Sequence, residues 1–122
     1  MDNDIASLQK KIFERALEQA DTPVFVIFTA SWSLSCALYQ QELQDFEIEI
    51  IEKALIATLD IDSFPDLTEK YGIVTIPTTL VFFNKQIVKQ LHGHQNPEIL
   101  TNIVEELTTP SSSNDLTSET KE

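Results

Sequence analysis

The chain has 122 residues, a formal net charge of −12 and a pI near 4.4. That balance argues against nucleic acid or an anionic membrane as the main partner, leaving a solvated acidic surface or attraction to a basic patch on a protein. With 42% hydrophobic content the length suits one domain with its own core, and a single cysteine excludes an intramolecular disulfide. Met1 to Lys11 lacks a basic start followed by an apolar run, and no stretch approaches a membrane span. A cytoplasmic protein is expected, and one cysteine fits a reducing compartment.

Asp4 to Ala20 predicts an amphipathic helix, with Ile5, Leu8, Ile12 and Ala16 at helical spacing and Phe13, Leu17 and Ala20 widening the stripe. Thr22-Pro23 stops it. Val24 to Thr29 is a short β-branched and aromatic run that suits a strand covered on both faces. Helical period returns from about Leu34 to Lys53. Tyr39, Leu43, Phe46 and Ile50 form an apolar stripe there, beside an acidic one of Glu42, Asp45, Glu49 and Glu52 that reads as a solvated face.

Ala54 to Ile61 predicts a second strand, and Phe64 to Tyr71 a short helix with Pro65 in its first turn and Gly72 at C′. Thr78 to Phe83 and Gln86 to His92 predict an antiparallel pair joined near Asn84-Lys85, without the Asn-Gly that favours a tight turn. Asn96 is a candidate cap for a last helix over Pro97 to Leu107, with Ile99, Ile103 and Leu107 toward the sheet and Leu100 and Val104 beside them. From Thr108 the composition turns to Ser, Thr, Pro, Asn and acidic residues, which bury too little apolar surface to fold. The expected organisation is a domain over 1–107 and a disordered acidic tail over 108–122.

The chemistry concentrates where the first strand meets its helix, at Trp32-Ser33-Leu34-Ser35-Cys36. This segment resembles the Trp-Cys-x-x-Cys motif of the thioredoxin family, with Ser33 in the place of the first cysteine. Asp60-Ile61-Asp62, Lys70-Tyr71-Gly72-Ile73, Ile76-Pro77-Thr78-Thr79 and Gly93 resemble further landmarks of that family, in order, so that the likeness spans Val24 to Leu107. It implies an α/β fold with a central mixed sheet of four or five strands flanked by helices, and a cis-proline loop at Ile76-Pro77. No strand is legible before the first helix, where the family often has one. An open sheet edge for self-association is therefore left as an alternative, and the oligomeric state stays open.

The resemblance also assigns residues. Trp32, Ser33, Ile76, Pro77 and Gly93 correspond to groove positions that hold an extended peptide, and Cys36 to the resolving cysteine. Ile27 and Thr58 stand where the family places a buried aspartate and a nearby lysine. Thiol exchange needs an attacking thiolate and a resolving thiol, and the serine hydroxyl at 33 has no such couple. Ser33 reads instead as a helix cap, and Cys36 as a small buried hydrophobe.

Two histidines at His92 and His94 lack the further ligands of a zinc site, so no metal and no cofactor is expected. The leading reading is a redox-disabled, thioredoxin-like module that binds a protein or extended peptide, chaperone-like, through the former substrate groove. The alternative is an atypical oxidoreductase acting through Cys36 by a monothiol or intermolecular disulfide route. A serine trap engineered into a working thioredoxin is a third reading, opposed by Ile27 and Thr58.

Overall fold

In a computed structural model, residues 5–50 and 53–108 are described. Their elements are α1 (Ile5–Gln19), β1 (Val24–Thr29), α2 (Leu34–Ile50), β2 (Leu55–Asp60), α3 (Pro65–Lys70), β3 (Thr78–Phe83), β4 (Gln86–His92) and α4 (Pro97–Thr108). The tail expected over 108–122 lies outside the described residues beyond Thr108. So do the side chains of Ile5, Leu8, Asp45, Glu49, Ile50 and Glu52. No described helix is long and apolar enough to cross a membrane.

The strands form one mixed sheet in the order β2-β1-β3-β4. β1 runs parallel to β2 and antiparallel to β3, and β3 is antiparallel to β4. β1 is central and buried at every position. Its alternation divides the core. Phe25 and Ile27 meet Tyr39, Leu43 and Phe46 of α2 and Leu100, Ile103 and Val104 of α4. Val24, Val26 and Phe28 meet Phe13 of α1 together with Phe64 and Leu67. Full burial of such side chains contributes about 1.5–3 kcal/mol each, which makes this strand the centre of the fold's stability.

Two helices sit rotated from the stripes that the sequence suggests. On α1 the core side is Phe13, with Leu17 and Ala20 packed against the same cluster, while Ile12 is 61% exposed. Neighbouring helical residues point about 100° apart, so the roll that centres Phe13, Leu17 and Ala20 on the sheet carries Ile12 to the rim of the contact. On α4 the buried residues are Leu100, Ile103 and Val104, with Leu107 partly buried, and Ile99 faces out. The two overlapping i, i+4 rows are both apolar, and the midline between them becomes the contact.

The connections follow local chemistry. Ile73 N–H donates to Thr68 O and Gly72 N–H to Glu69 O, a Schellman closure of α3 that places Gly72 at φ 64°. Asn96 Oδ1 accepts the Glu98 N–H at 2.9 Å and caps α4. Asn84 and Lys85 both take positive φ, 54° and 70°, the signature of a type I′ hairpin turn. That turn matches strand twist, which outweighs the poor fit of lysine to this conformation.

Candidate functional site

Sheet register gathers the site. Phe28 pairs with Thr78, Thr78 with His92, and Thr29 with Asp60. The segments 30–33, 61–63, 75–77 and 93–96 therefore all leave the sheet at one end, the carboxyl end of the two parallel strands. In open α/β sheets that end is where a crevice forms and ligands bind.

Each segment is held by its own bonds. Ser33 N–H donates to Ala30 O at 3.1 Å, turning the chain out of β1 into α2. The Ser33 hydroxyl oxygen accepts the Cys36 N–H at 3.2 Å, so the serine caps α2 as expected. Trp32 is 68% exposed, yet its indole Nε1–H donates to Asp62 Oδ2 at 2.8 Å. Asp62 is held in turn by its N–H on Asp60 Oδ1 at 2.9 Å. The indole is thus oriented without being covered.

Opposite this, the Ile76-Pro77 peptide is cis, with Pro77 buried and Ile76 half-buried. Gly93 N–H donates to Pro77 O at 2.7 Å, which ties the segment after β4 to the proline loop. Gly93 has φ 82°, a conformation that suits glycine. The Ile76 N–H and C=O make no backbone hydrogen bond to any described residue. Leu34 and Val74 are also exposed at this end, at 74% and 86%.

Cys36 lies one turn into α2 with no exposed surface. Among the described residues no histidine or carboxylate bonds the Ser33 hydroxyl, so nothing there raises its nucleophilicity. The two histidines part company. His92 Nδ1 lies 3.5 Å from Thr75 Oγ1, whereas His94 Nε2 lies 2.9 Å from Glu42 Oε1. They do not converge on a shared site.

The family model described as Thioredoxin matches residues 4–106. The chain belongs to the thioredoxin family. It is similar to a thioredoxin of Alicyclobacillus acidocaldarius subsp. acidocaldarius, 38% identical over 88 residues that cover 72% of this chain and 83% of the relative. A thioredoxin of Rickettsia bellii (strain RML369-C) is 30% identical over 79 residues, covering 65% and 75%. Among solved structures, one on the thiol resolving mechanism in yeast mitochondrial 1-Cys peroxiredoxin via glutathione/thioredoxin systems contains a similar chain. It aligns with a TM-score of 0.70 at 20% identity, over 80% of this chain and 89% of that one, and shares the fold.

Within this thioredoxin fold, Ile27 is fully buried and registers against Thr79 of β3. The Tyr39 hydroxyl reaches the same threonine, 3.1 Å from Thr79 Oγ1. Burial pushes the Tyr39 hydroxyl up from its ordinary value; the Thr79 hydrogen bond opposes this and the Glu42 charge adds to it. Sequence reasoning missed Asp62 as the partner of Trp32. The two residues lie thirty apart, and no local pattern links an indole to a distant carboxylate. It also missed Leu34 and Val74, whose exposure depends on where the crevice opens.

Proposed function

We propose that this thioredoxin-family chain is redox-disabled and acts as a cytoplasmic protein-binding, chaperone-like module through the former substrate groove. One contrast carries the reading: Cys36 has no exposed surface, while Trp32, four residues earlier, keeps 68% of its own. A thiol must be reached to exchange, and a single covered one has no resolving partner. An exposed indole held by Asp62 is instead suited to pack on a peptide, giving large contact area at low entropic cost.

Trp32, Ser33, Ile76, Pro77 and Gly93 form the proposed groove, extended by Leu34 and Val74. The Ile76 backbone groups would pair with an extended segment by strand addition, and the exposed apolar side chains would take its alternate residues. The burial of Cys36 weighs against the monothiol alternative.

The test uses the chain's single tryptophan as its own reporter. Reduced, carboxymethylated insulin B chain, an extended peptide without free thiols, is titrated while Trp32 emission is followed. A saturable blue shift, lost in Trp32-retaining Ile76→Asp, is expected. In parallel, iodoacetamide should modify Cys36 only as fast as the fold opens, and insulin disulfides should not be reduced. Rapid alkylation of folded protein, with reductase activity abolished in Cys36→Ser, would overturn the proposal and make Cys36 a redox centre.

A further inference from the structure

We infer that the outer edge of β2 is a self-complementary interface through which two copies of this chain pair their sheets. Among the described residues no strand lies outside β2. Leu55 N–H donates to Pro23 O and Ile61 N–H to Thr29 O, each at 2.9 Å. Alternation along the parallel pair then turns the polar groups of Ile56 and Thr58 outward.

Among the described residues the other sheet edge is guarded and this one is not. β4 carries a register irregularity opposite Val81/Phe82, Lys89 within the strand and Lys85 at its entry. Bulges and lysines are the usual protection against edge pairing. The five residues Leu55 to Leu59 contain no charge and no proline, and their pairing to β1 has no bulge. They line an apolar groove with Ile12, Ala16 and Phe64, in which Ile12 and Leu55 are exposed.

What fits this edge is written in its own order. Leu-Ile-Ala-Thr-Leu is close to a palindrome about Ala57, flanked by Lys53 before it and by Asp60 and Asp62 after it. A twofold axis through Ala57 makes an antiparallel pair in which Ile56 and Thr58 of opposite copies exchange both backbone hydrogen bonds. Leu55 then lies across from Leu59 of the second copy, and the two Ala57 residues form a non-hydrogen-bonded pair. Outward-facing polar groups at even positions are what this register requires, and β2 supplies them. At each end Lys53, just before β2, comes near Asp60, the last residue of β2, in the other copy, so unlike charges meet twice. A net charge of −12 per copy opposes association, and this local match offsets it.

The test uses the full chain at about 0.15 M salt, where exposed charges more than about 8 Å apart are largely screened. Sedimentation velocity from micromolar to millimolar concentration should show a concentration-dependent dimer. Ala57→Cys, oxidised with diamide, should give a disulfide-linked dimer, because a non-hydrogen-bonded pair sets Cα atoms about 4.5 Å apart. Leu55→Cys should cross-link at least about tenfold more slowly, its two copies lying roughly 14 Å apart in this register. Lys53→Asp, an exposed change, should weaken the dimer by about fivefold or more. A monomer at every concentration overturns the inference and leaves the edge to a strand of another protein. So does a dimer in which position 57 cross-links no faster than position 55, or one that Lys53→Asp leaves unchanged.

Discussion

The Ser33 side-chain oxygen and the Cys36 backbone N–H form a 3.2 Å hydrogen bond that joins the two ends of the Ser-Leu-Ser-Cys segment. It gives the serine a structural task that a thiol would perform poorly, since sulfur is a weak acceptor. The same bond places Cys36 at the third position of α2, where its side chain turns inward.

Ser33→Ala should therefore destabilise the fold by about 0.5–2 kcal/mol, the usual worth of an N-cap, while Ser33→Asp should hold most of it. Urea denaturation of the native chain and both variants checks this. Equal midpoints for the native chain and Ser33→Ala would show that the cap contributes nothing and that the serine needs another explanation.

A second expectation concerns the buried pair Tyr39 and Thr79, whose hydroxyls lie 3.1 Å apart. Tyr39→Phe leaves Thr79 Oγ1 buried without that partner and should cost about 1–3 kcal/mol. Adding Thr79→Val removes the orphaned group and should restore part of the loss. A double-mutant cycle measures the coupling, expected near 1 kcal/mol and unlike the near-zero value of independent sites.

Much of this was legible in the chain itself, for identifiable reasons. The strand Val24–Thr29, the Asn96 cap and the Gly72 closure are local devices, and each is specified by a few adjacent residues. The order of the landmarks from Trp32 to Gly93 carried the fold. What the chain hid was long-range or a choice between near equals. Ile12 against Phe13, and Ile99 against Leu100, are decided by how a helix is rolled on the sheet, which hydrophobic spacing leaves ambiguous. The Trp32–Asp62 and His94–Glu42 bonds join residues brought together only by the folded sheet.

The raised Tyr39 titration gives a signed pH effect. Its unfolded counterpart loses a proton near the ordinary value of 10.0, while the folded hydroxyl, burial-shifted upward, still holds its own. The unfolded state then binds fewer protons, so this contribution is fully present below about pH 10 and is lost as pH rises through the folded value. The stability difference between the native chain and Tyr39→Phe should be flat from about pH 7 to 9 and should shrink above about 10. Denaturant midpoints across that range test it, and a gap that widens with pH would contradict the sign.

The hairpin between β3 and β4 offers a stabilising change. Lys85 holds φ 70° at an exposed position, and a side chain there costs about 1–2 kcal/mol relative to the right-handed conformation. Asparagine visits this region at lower cost than other side-chain-bearing residues, so the penalty falls on the lysine. Lys85→Gly removes the Cβ conflict and supplies the Asn-Gly pair that the type I′ turn prefers. Part of the gain is returned as added chain entropy in the unfolded state. A net stabilisation of about 0.5–1 kcal/mol is expected, read as a raised urea midpoint with an unchanged slope. Lys85→Ala serves as the control, since it removes the charge and keeps the Cβ. If alanine stabilised as much as glycine, the effect would belong to charge and not to the backbone.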